Sequence, residues 1–352
     1  MASRDRKAPS IGDVARRAGV SISTISRAMN DKTRLNPQTY ERVQNAIREL
    51  NYRKARRGPA PARPRTVAVV VPSILDPYFS VALHGIDSVA KTYNFTTLFF
   101  DSCNSADLEV KNVVRILASS VDGVVFVPAG DSREGYTTLR EAGTPVVLLD
   151  RTLELDDLRY VISDDEEGAY LAVKYLVDLG HHEILYIGGD RNTSTEQARL
   201  RGYKRAMRGR GLHLTGQSVI ECSFDSERAY EATNQLLGTR PPRFSAIFAG
   251  NDLIAFGAMR ALQESGRRVP QDVSVVGYGD MPFADMISLT SVSCPVLEMA
   301  KSAMTLLVQL VDRRFISSPR IVMRPALVLR SSCCRLLATP TSVSGGASTA
   351  NR

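Results

Sequence analysis

The groups that could do covalent chemistry are few and scattered along the chain. Cys103, Cys222, Cys294, Cys333 and Cys334 are odd in number and show no Cys-x-x-Cys spacing. That pattern supplies neither a disulfide framework nor a zinc site and fits a reducing cytoplasm. His84 lies in a helical stretch. His181 and His182 follow the helix-ending Gly180, where imidazoles suit a helix C-terminus. Gly188-Gly189 is too short for a dinucleotide or phosphate-loop signature. Asp164, Asp165, Glu166 and Glu167 read as N-terminal charges of the next helix rather than a metal cluster. The expectation is a chain that is not an enzyme, with no catalytic residue, no metal site and no cofactor.

Binding chemistry is better represented. Short apolar runs recur at Val67–Val71, Thr97–Phe100, Val124–Val127, Val146–Leu149, Glu183–Ile187, Ala246–Phe248 and Val273–Val276, with helix-like stretches between them. Continuous β-branched runs of this kind are what parallel strands buried on both faces require. The predicted fold class is α/β, with two doubly wound parallel subdomains after a helical head. Ligands of such sheets bind beyond the carboxyl ends of the strands. The informative polar residues are therefore those after each run: Asp76 to Phe79, Asp101, Asp150-Arg151, Gly188 to Asp190, Asn251-Asp252 and Tyr278 to Asp280. Two such half-sites facing across a cleft form a small-molecule trap that closes by hinge motion.

The head has a different composition. Residues 1–66 carry 16 Lys+Arg and 5 Asp+Glu, while the rest of the 352 residues carry 29 and 32. All of the net charge of +8 therefore resides in the first fifth of the chain. A basic head on a near-neutral body points to a polyanion partner for the head alone. With 43% hydrophobic and 23% charged residues the chain is ordinary globular protein, and its length suits two or three domains. It contains no apolar run of membrane-spanning length and no secretory signal pattern.

Ser10 and Asp13 make a capping-box-like start, weaker with Asp than with Glu. Ile11, Val14, Ala15 and Ala18 form one helical face, and Gly19 stops the helix. Ser21 can cap a second helix with Ile25 and Ala28 or Met29 turned inward. Asn36-Pro37 opens a third helix, with Val43, Ile47 and Leu50 on one face. Three short helices with a glycine turn between the first two make a helix-turn-helix, whose second helix enters the major groove.

These stretches, Ile11 to Ser21, Thr24 to Asn30, Thr39, Arg42-Val43 and Leu50 to Tyr52, resemble the LacI/GalR family of bacterial transcription regulators. The resemblance runs to about residue 335 through Val121 to Val125, Pro145 to Arg151, Gly168 to Ala172, Leu179 to His182, Ile187 to Gly189, Arg199 with Gly202-Tyr203, Asn251-Asp252 and Val276 to Tyr278. It implies a periplasmic-binding-protein-like core, a homodimer, and an effector in the cleft. In the head it implies that Ile22, Ser23 and Arg27 face base edges, and that Ser21, Thr24, Asn30 and Asn36 contact phosphates. The chemistry agrees. Arg donates two hydrogen bonds to guanine, apolar groups touch the thymine methyl, and hydroxyls suit phosphates. Ile22 has a second reading, as a packed residue near a helix start.

In the body the resemblance implies an effector shell of Tyr78, Phe79, Asp150, Arg199, Phe224 and Asn251. Aromatics stack on flat rings or apolar sugar faces, and Arg, Asp and Asn supply directional hydrogen bonds. Phe224 also reads as core, and Asp150 as a cap. Family members usually carry two aspartates after the Gly-Tyr pair, where this chain has Gly279 and Asp280; either Asp280 substitutes or the ligand is held differently. A second departure is the linker. Residues 53–66 carry six basic residues, Gly58 and three prolines, with Pro61 where many members place a hinge-helix leucine. A phosphate-tracking arm and a plain Pro-rich spacer both fit.

The expected domains are a helix-turn-helix at 1–56, a linker at 57–66, an N-terminal subdomain at 67–163 and 292–322, a C-terminal subdomain at 164–291 and 323–335, and a disordered tail at 336–352. The function this implies is a sequence-specific repressor acting as a cytoplasmic homodimer on a pseudo-palindromic operator. A sugar or related metabolite would modulate its operator affinity. The competing reading is a small-molecule binding module with no DNA role.

Overall fold

The structure is a computed structural model that describes residues 10–22, 24, 25, 28, 36–50, 65–215, 218–239, 244–312 and 320–336. The chain divides into two compact units, residues 1–63 and 64–352. Ser23, Arg27, Met29, Asn30, Pro61 and the segment 337–352 lie outside the described residues.

The first unit begins with the helix Ile11–Ala18. Ser10 Oγ accepts from the Asp13 amide and Asp13 returns the bond to the Ser10 amide at 2.9 Å. The box therefore closes with Asp in place of Glu. Gly19, at φ +64°, ends the helix in the left-handed conformation. Ser21 Oγ accepts from the Thr24 amide, and Ile22, Thr24, Ile25 and Ala28 are helical. Asn36 caps the helix Pro37–Glu49 through the Gln38 amide. Val14, Ala15, Ala18, Ile25, Ala28, Val43 and Ala46 form the core, with Ile47 and Leu50 packed against it.

The second unit holds two sheets, each flanked by helices. The first runs in the order β11-β5-β4-β3-β1-β2, built from β1 (Arg65–Val71), β2 (Phe95–Asp101), β3 (Gly123–Phe126), β4 (Val146–Leu149), β5 (Tyr160–Ser163) and β11 (Arg320–Met323). The second runs β12-β10-β9-β8-β6-β7, from β6 (Ile184–Gly188), β7 (Val219–Glu221), β8 (Ala246–Ala249), β9 (Ser274–Gly279), β10 (Thr290–Ser293) and β12 (Ala326–Val328). Adjacent strands are parallel except β10 and β12. β1, β3, β4, β6, β8 and β9 are almost entirely buried, as their apolar runs require.

The chain crosses between the sheets three times: after β5, between β10 and the helix Val296–Val311, and between β11 and β12. Several expected segment ends shift. Arg65 and Thr66, placed in the linker, open β1, where Arg65 stacks on Phe95 at 4.0 Å and pairs with Asp312. β10 lies wholly in the second sheet, so a boundary at 291/292 cuts it, and β11 extends one residue past 322. Leu336, placed in the tail, donates its amide to Leu179.

Candidate functional site

The facing strand ends build an interdomain cavity. From the first sheet come Asp76, Tyr78 and Phe79 after β1, and Asp150 and Arg151 after β4. From the second come Phe224 after β7, Asn251 and Asp252 after β8, and Tyr278, Gly279 and Met281 at the end of β9. Thr195 and Arg199 reach in from the helix Ser194–Arg208. The cavity is small, about 40 Å³, room for a few waters. A groove of about 610 Å³ adjoins it, sharing Asp150 and Thr195. The Thr152 amide donates to Ser194 Oγ at 2.9 Å, so the two lobes touch across the cleft.

Six of the seven expected effector residues line this cavity. Tyr78 donates its hydroxyl to Asp150 Oδ1 at 2.5 Å, so Asp150 is no helix cap. Asp150 itself sits at φ +67°, a conformation that costs a non-glycine residue about 1–3 kcal/mol. Phe79 is buried edge-on to Tyr78. Phe224 serves both of its readings, packing with the second sheet's core and walling the cavity. Its ring lies so close to Gly189 that a Cβ there would fall 2.2 Å away. Asn251 lines the cavity while its Oδ1 caps the helix Asp252–Glu264 through the Ile254 amide.

Arg199 is near the cavity but heavily committed. Nε and Nη2 donate to Asp165 Oδ1 at 3.0 and 2.9 Å, Nη1 donates to the Gly250 carbonyl, and the guanidinium stacks on Tyr278 at 3.9 Å. Asp165 begins the helix that follows the first crossover, so this pair ties the second lobe to a hinge segment.

Asp280 is the exception. It is absent from the cavity lining and pairs with Arg330 at 2.8 Å. The cause is local: Gly279 at φ +121° and Asp280 at φ +53° turn the loop. Asp252 occupies the floor instead, accepting from Ser291 Oγ at 2.6 Å and the Met281 amide at 2.7 Å. Burial, opposed by those hydrogen bonds, pushes Asp252 up to about 6. Burial likewise raises Asp76 and Asp165.

Arg151, Asp252, Asp76 and Tyr278 follow strands and belong to the residues singled out as informative by position, yet not to the expected shell. Thr195 and Asp165 had no such signal, since they sit in first turns of helices. Among the described residues no three His, Cys, Asp or Glu side chains gather as a metal site. His181 is buried between Ser245 Oγ and the Cys334 carbonyl, which burial keeps below its ordinary value.

In the first unit, Ile22 is 55% exposed, so the packed reading fails within that unit. Ser21, next to it in sequence, and Asn36, at the start of the helix Pro37–Glu49, are also exposed.

A helix-turn-helix unit joined to a two-lobed sheet pair with an interdomain cavity defines a DNA-binding regulator that senses a small molecule. Residues 64–325 match the family described as periplasmic binding proteins and sugar binding domain of the LacI family, and residues 10–54 match bacterial regulatory proteins of the lacI family. The chain belongs to the LacI family of DNA-binding transcription regulators. Catabolite control protein A of Priestia megaterium is 29% identical over 92% of this chain and 98% of its own. The transcriptional repressor PurR of Aliivibrio fischeri (strain MJ11) is 33% identical over 92% and 97%. Among solved structures, a transcriptional regulator CelR–cellobiose complex superposes with a TM-score of 0.71 at 30% identity, covering 92% of this chain and 99% of that one. The lac repressor dimer bound to operator and the anti-inducer ONPF gives 0.69 at 26%, covering 93% and 100%.

Proposed function

We propose that this chain is a repressor that binds a pseudo-palindromic operator as a cytoplasmic homodimer, that it is not an enzyme, and that a sugar or related metabolite in the interdomain cavity sets its operator affinity. The observation that carries this is the cavity itself: aromatic walls from Tyr78, Phe79, Phe224 and Tyr278, with carboxyl groups and Arg151 past strand ends and Arg199 from a helix. Such a lining suits a ligand with apolar faces and many hydroxyls. Relatives whose names specify PurR repressors, and a neighbour solved with cellobiose, support the same reading.

Ser21, Ile22, Ser23, Thr24, Arg27, Asn30 and Asn36 form the proposed DNA contacts, and Tyr78, Phe79, Asp150, Arg199, Phe224 and Asn251 the effector shell, with Asp280 set aside. Exposed Ile74, Leu75 and Phe99 on the first lobe, and Phe256 and Met286 on the second, supply apolar surface for a partner copy. By linkage, operator DNA must change effector affinity by the factor with which effector changes operator affinity.

The test is selection from a random-sequence DNA library. The full chain should enrich a sequence with two-fold pseudo-symmetry, and a fragment of residues 64–352, which keeps β1 whole, should enrich none. Enrichment by the fragment, or none by the full chain, refutes the assignment.

A further inference from the structure

Each rim of the cleft is held from within by a buried glutamate, and the two glutamates differ in one respect. In the second lobe Glu196 Oε1 accepts from the Tyr186 hydroxyl at 2.7 Å and Oε2 from the Gly189 amide at 2.8 Å, so both oxygens are partnered. In the first lobe Glu109, on the helix Ala106–Ala118, is 0% exposed, and Oε2 accepts from the Ala129 amide at 2.6 Å. Its Oε1 is buried without a hydrogen-bond partner among the described residues. A Cβ on Gly135 would lie 3.1 Å from that oxygen, with Phe126 and Val113 at 3.3 and 3.4 Å, so uncharged groups enclose it. An ionised carboxylate there would keep a bare oxygen in an apolar pocket, a cost that the neutral carboxyl avoids.

The charge that acts on Glu109 belongs to Arg151, after β4. Arg151 in turn faces Asp150, Asp76, Tyr78 and Arg199. Around Glu109 itself, β3 presents Phe126, its own helix Val113, and the helix Glu134–Glu141 Gly135, none of them titratable. Tyr136, next along that last helix, is kept neutral by its burial.

The segment that Glu109 holds is where the first lobe meets the second. The Pro128 and Ala129 carbonyls accept from Arg151 Nη1 at 2.9 and 3.2 Å, and the Arg151 guanidinium lies 5.7 Å from the Phe224 ring. Gly130 comes against Asn192, whose carbonyl oxygen would be 3.8 Å from a Cβ on that glycine. Beside Arg151, the Thr152 amide makes the cross-lobe bond to Ser194 Oγ.

We infer that protonated Glu109 is the positioning residue of the closed cleft, fixing the 128–130 loop and through its carbonyls Arg151, so that closure of the lobes is coupled to binding one proton. On losing the proton, the carboxylate draws Arg151 or water toward Oε1. The loop shifts, and the contacts with Asn192, Ser194 and Phe224 weaken together. The closed form holds the proton more tightly, since burial pushes Glu109 up to about 7 there, so closure is favoured below that pH and declines as pH rises through it. The coupling is independent of which ligand the cavity takes.

Hydrogen–deuterium exchange on the full, ligand-free chain tests this, at pH 6 and pH 8 with the intrinsic exchange rates divided out. The peptides to follow cover 128–131, with the Ala129 amide, and 150–154, with the Thr152 amide. With Glu109 near 7 when closed and at its ordinary 4.5 when released, protection of both peptides should be about tenfold lower at pH 8 than at pH 6. E109Q, uncharged at both pH values, should remove that difference. Asp252, raised to about 6 on the other lobe, titrates alike in parent and variant and drops out of the comparison. A glutamate that merely stabilised the fold would lower protection equally at both pH values when replaced and leave the pH difference standing. S194A, which removes the acceptor of the cross-lobe bond, should lower protection of 150–154 at both pH values while 128–131 keeps its pH response. Equal protection of the parent at pH 6 and pH 8, a pH difference persisting in E109Q, or an unchanged 150–154 peptide in S194A overturns the inference. Should E109Q fail to fold, the parent and S194A decide it.

Discussion

Arg199 shows how one side chain can line a cavity and also tie the fold together. Its guanidinium is what keeps the buried Asp165 carboxylate compensated. Removing one member of a buried pair costs about 3–5 kcal/mol, since the other charge is left uncompensated. R199A is therefore expected to lose roughly that much in urea unfolding, and its ligand response must be read against that loss. Glu109 makes a second residue-scale prediction. It is fully buried with Oε2 accepting from the Ala129 amide at 2.6 Å, and burial pushes it up to about 7. The unfolded chain loses this proton near 4.5, so the folded protein binds more protons across the window from about 4.5 to about 7. Stability must then decline as pH rises through that window, by at most about 3 kcal/mol. His181 works in the opposite sense below its ordinary value, so the comparison is between E109Q and the parent at each pH. Urea unfolding near pH 5 and near pH 8 should show the parent losing more stability than E109Q over that rise; equal losses would rule out a protonated Glu109.

Elements differ in how plainly their residues announce them. Helix starts with a side-chain cap were readable, because Ser10, Ser21 and Asn36 act within three residues of themselves. The central strands were readable because burial on both faces leaves only apolar residues. β5, β7, β11 and β12 were not, since their apolar runs are only two or three residues long and partly exposed. β10 is buried yet reads Thr-Ser-Val-Ser, its polar groups satisfied by Ser332, Arg330 and Asp252 from distant segments. The loop after β9 gives the element-scale prediction. G279D should not restore a family-like acid to the cavity, because φ +121° is a glycine conformation. It should cost about 1–3 kcal/mol in urea unfolding, and a neutral outcome would show that the loop can refold around Asp. G189A tests the opposite wall: a Cβ must displace the Phe224 ring, so ligand-induced thermal shifts should shrink more than ligand-free stability does.

On the scale of the whole chain, charge and function divide at the same place. The excess of basic residues before residue 67 should make operator binding fall steeply with salt, while effector binding to the nearly neutral body should barely respond. Operator affinity and ligand thermal shift, both measured between about 50 and about 200 mM salt, check this; equal salt slopes would contradict the division. The sequence by itself determined the class of fold, the helix-turn-helix, the separation of charge and most residues of the cavity. Those features rest on local rules, namely caps, apolar runs and the position of polar residues just past strand ends. Tertiary structure alone decided what each cavity residue is free to do. It set Asp280 against Arg330, put Asp252 on the floor, engaged Arg199 with Asp165 and left Arg151 with a donor unpaired. Hydrogen-bond partners here come from segments tens of residues apart, and no spacing along the chain records which acceptor a guanidinium meets when two lobes close.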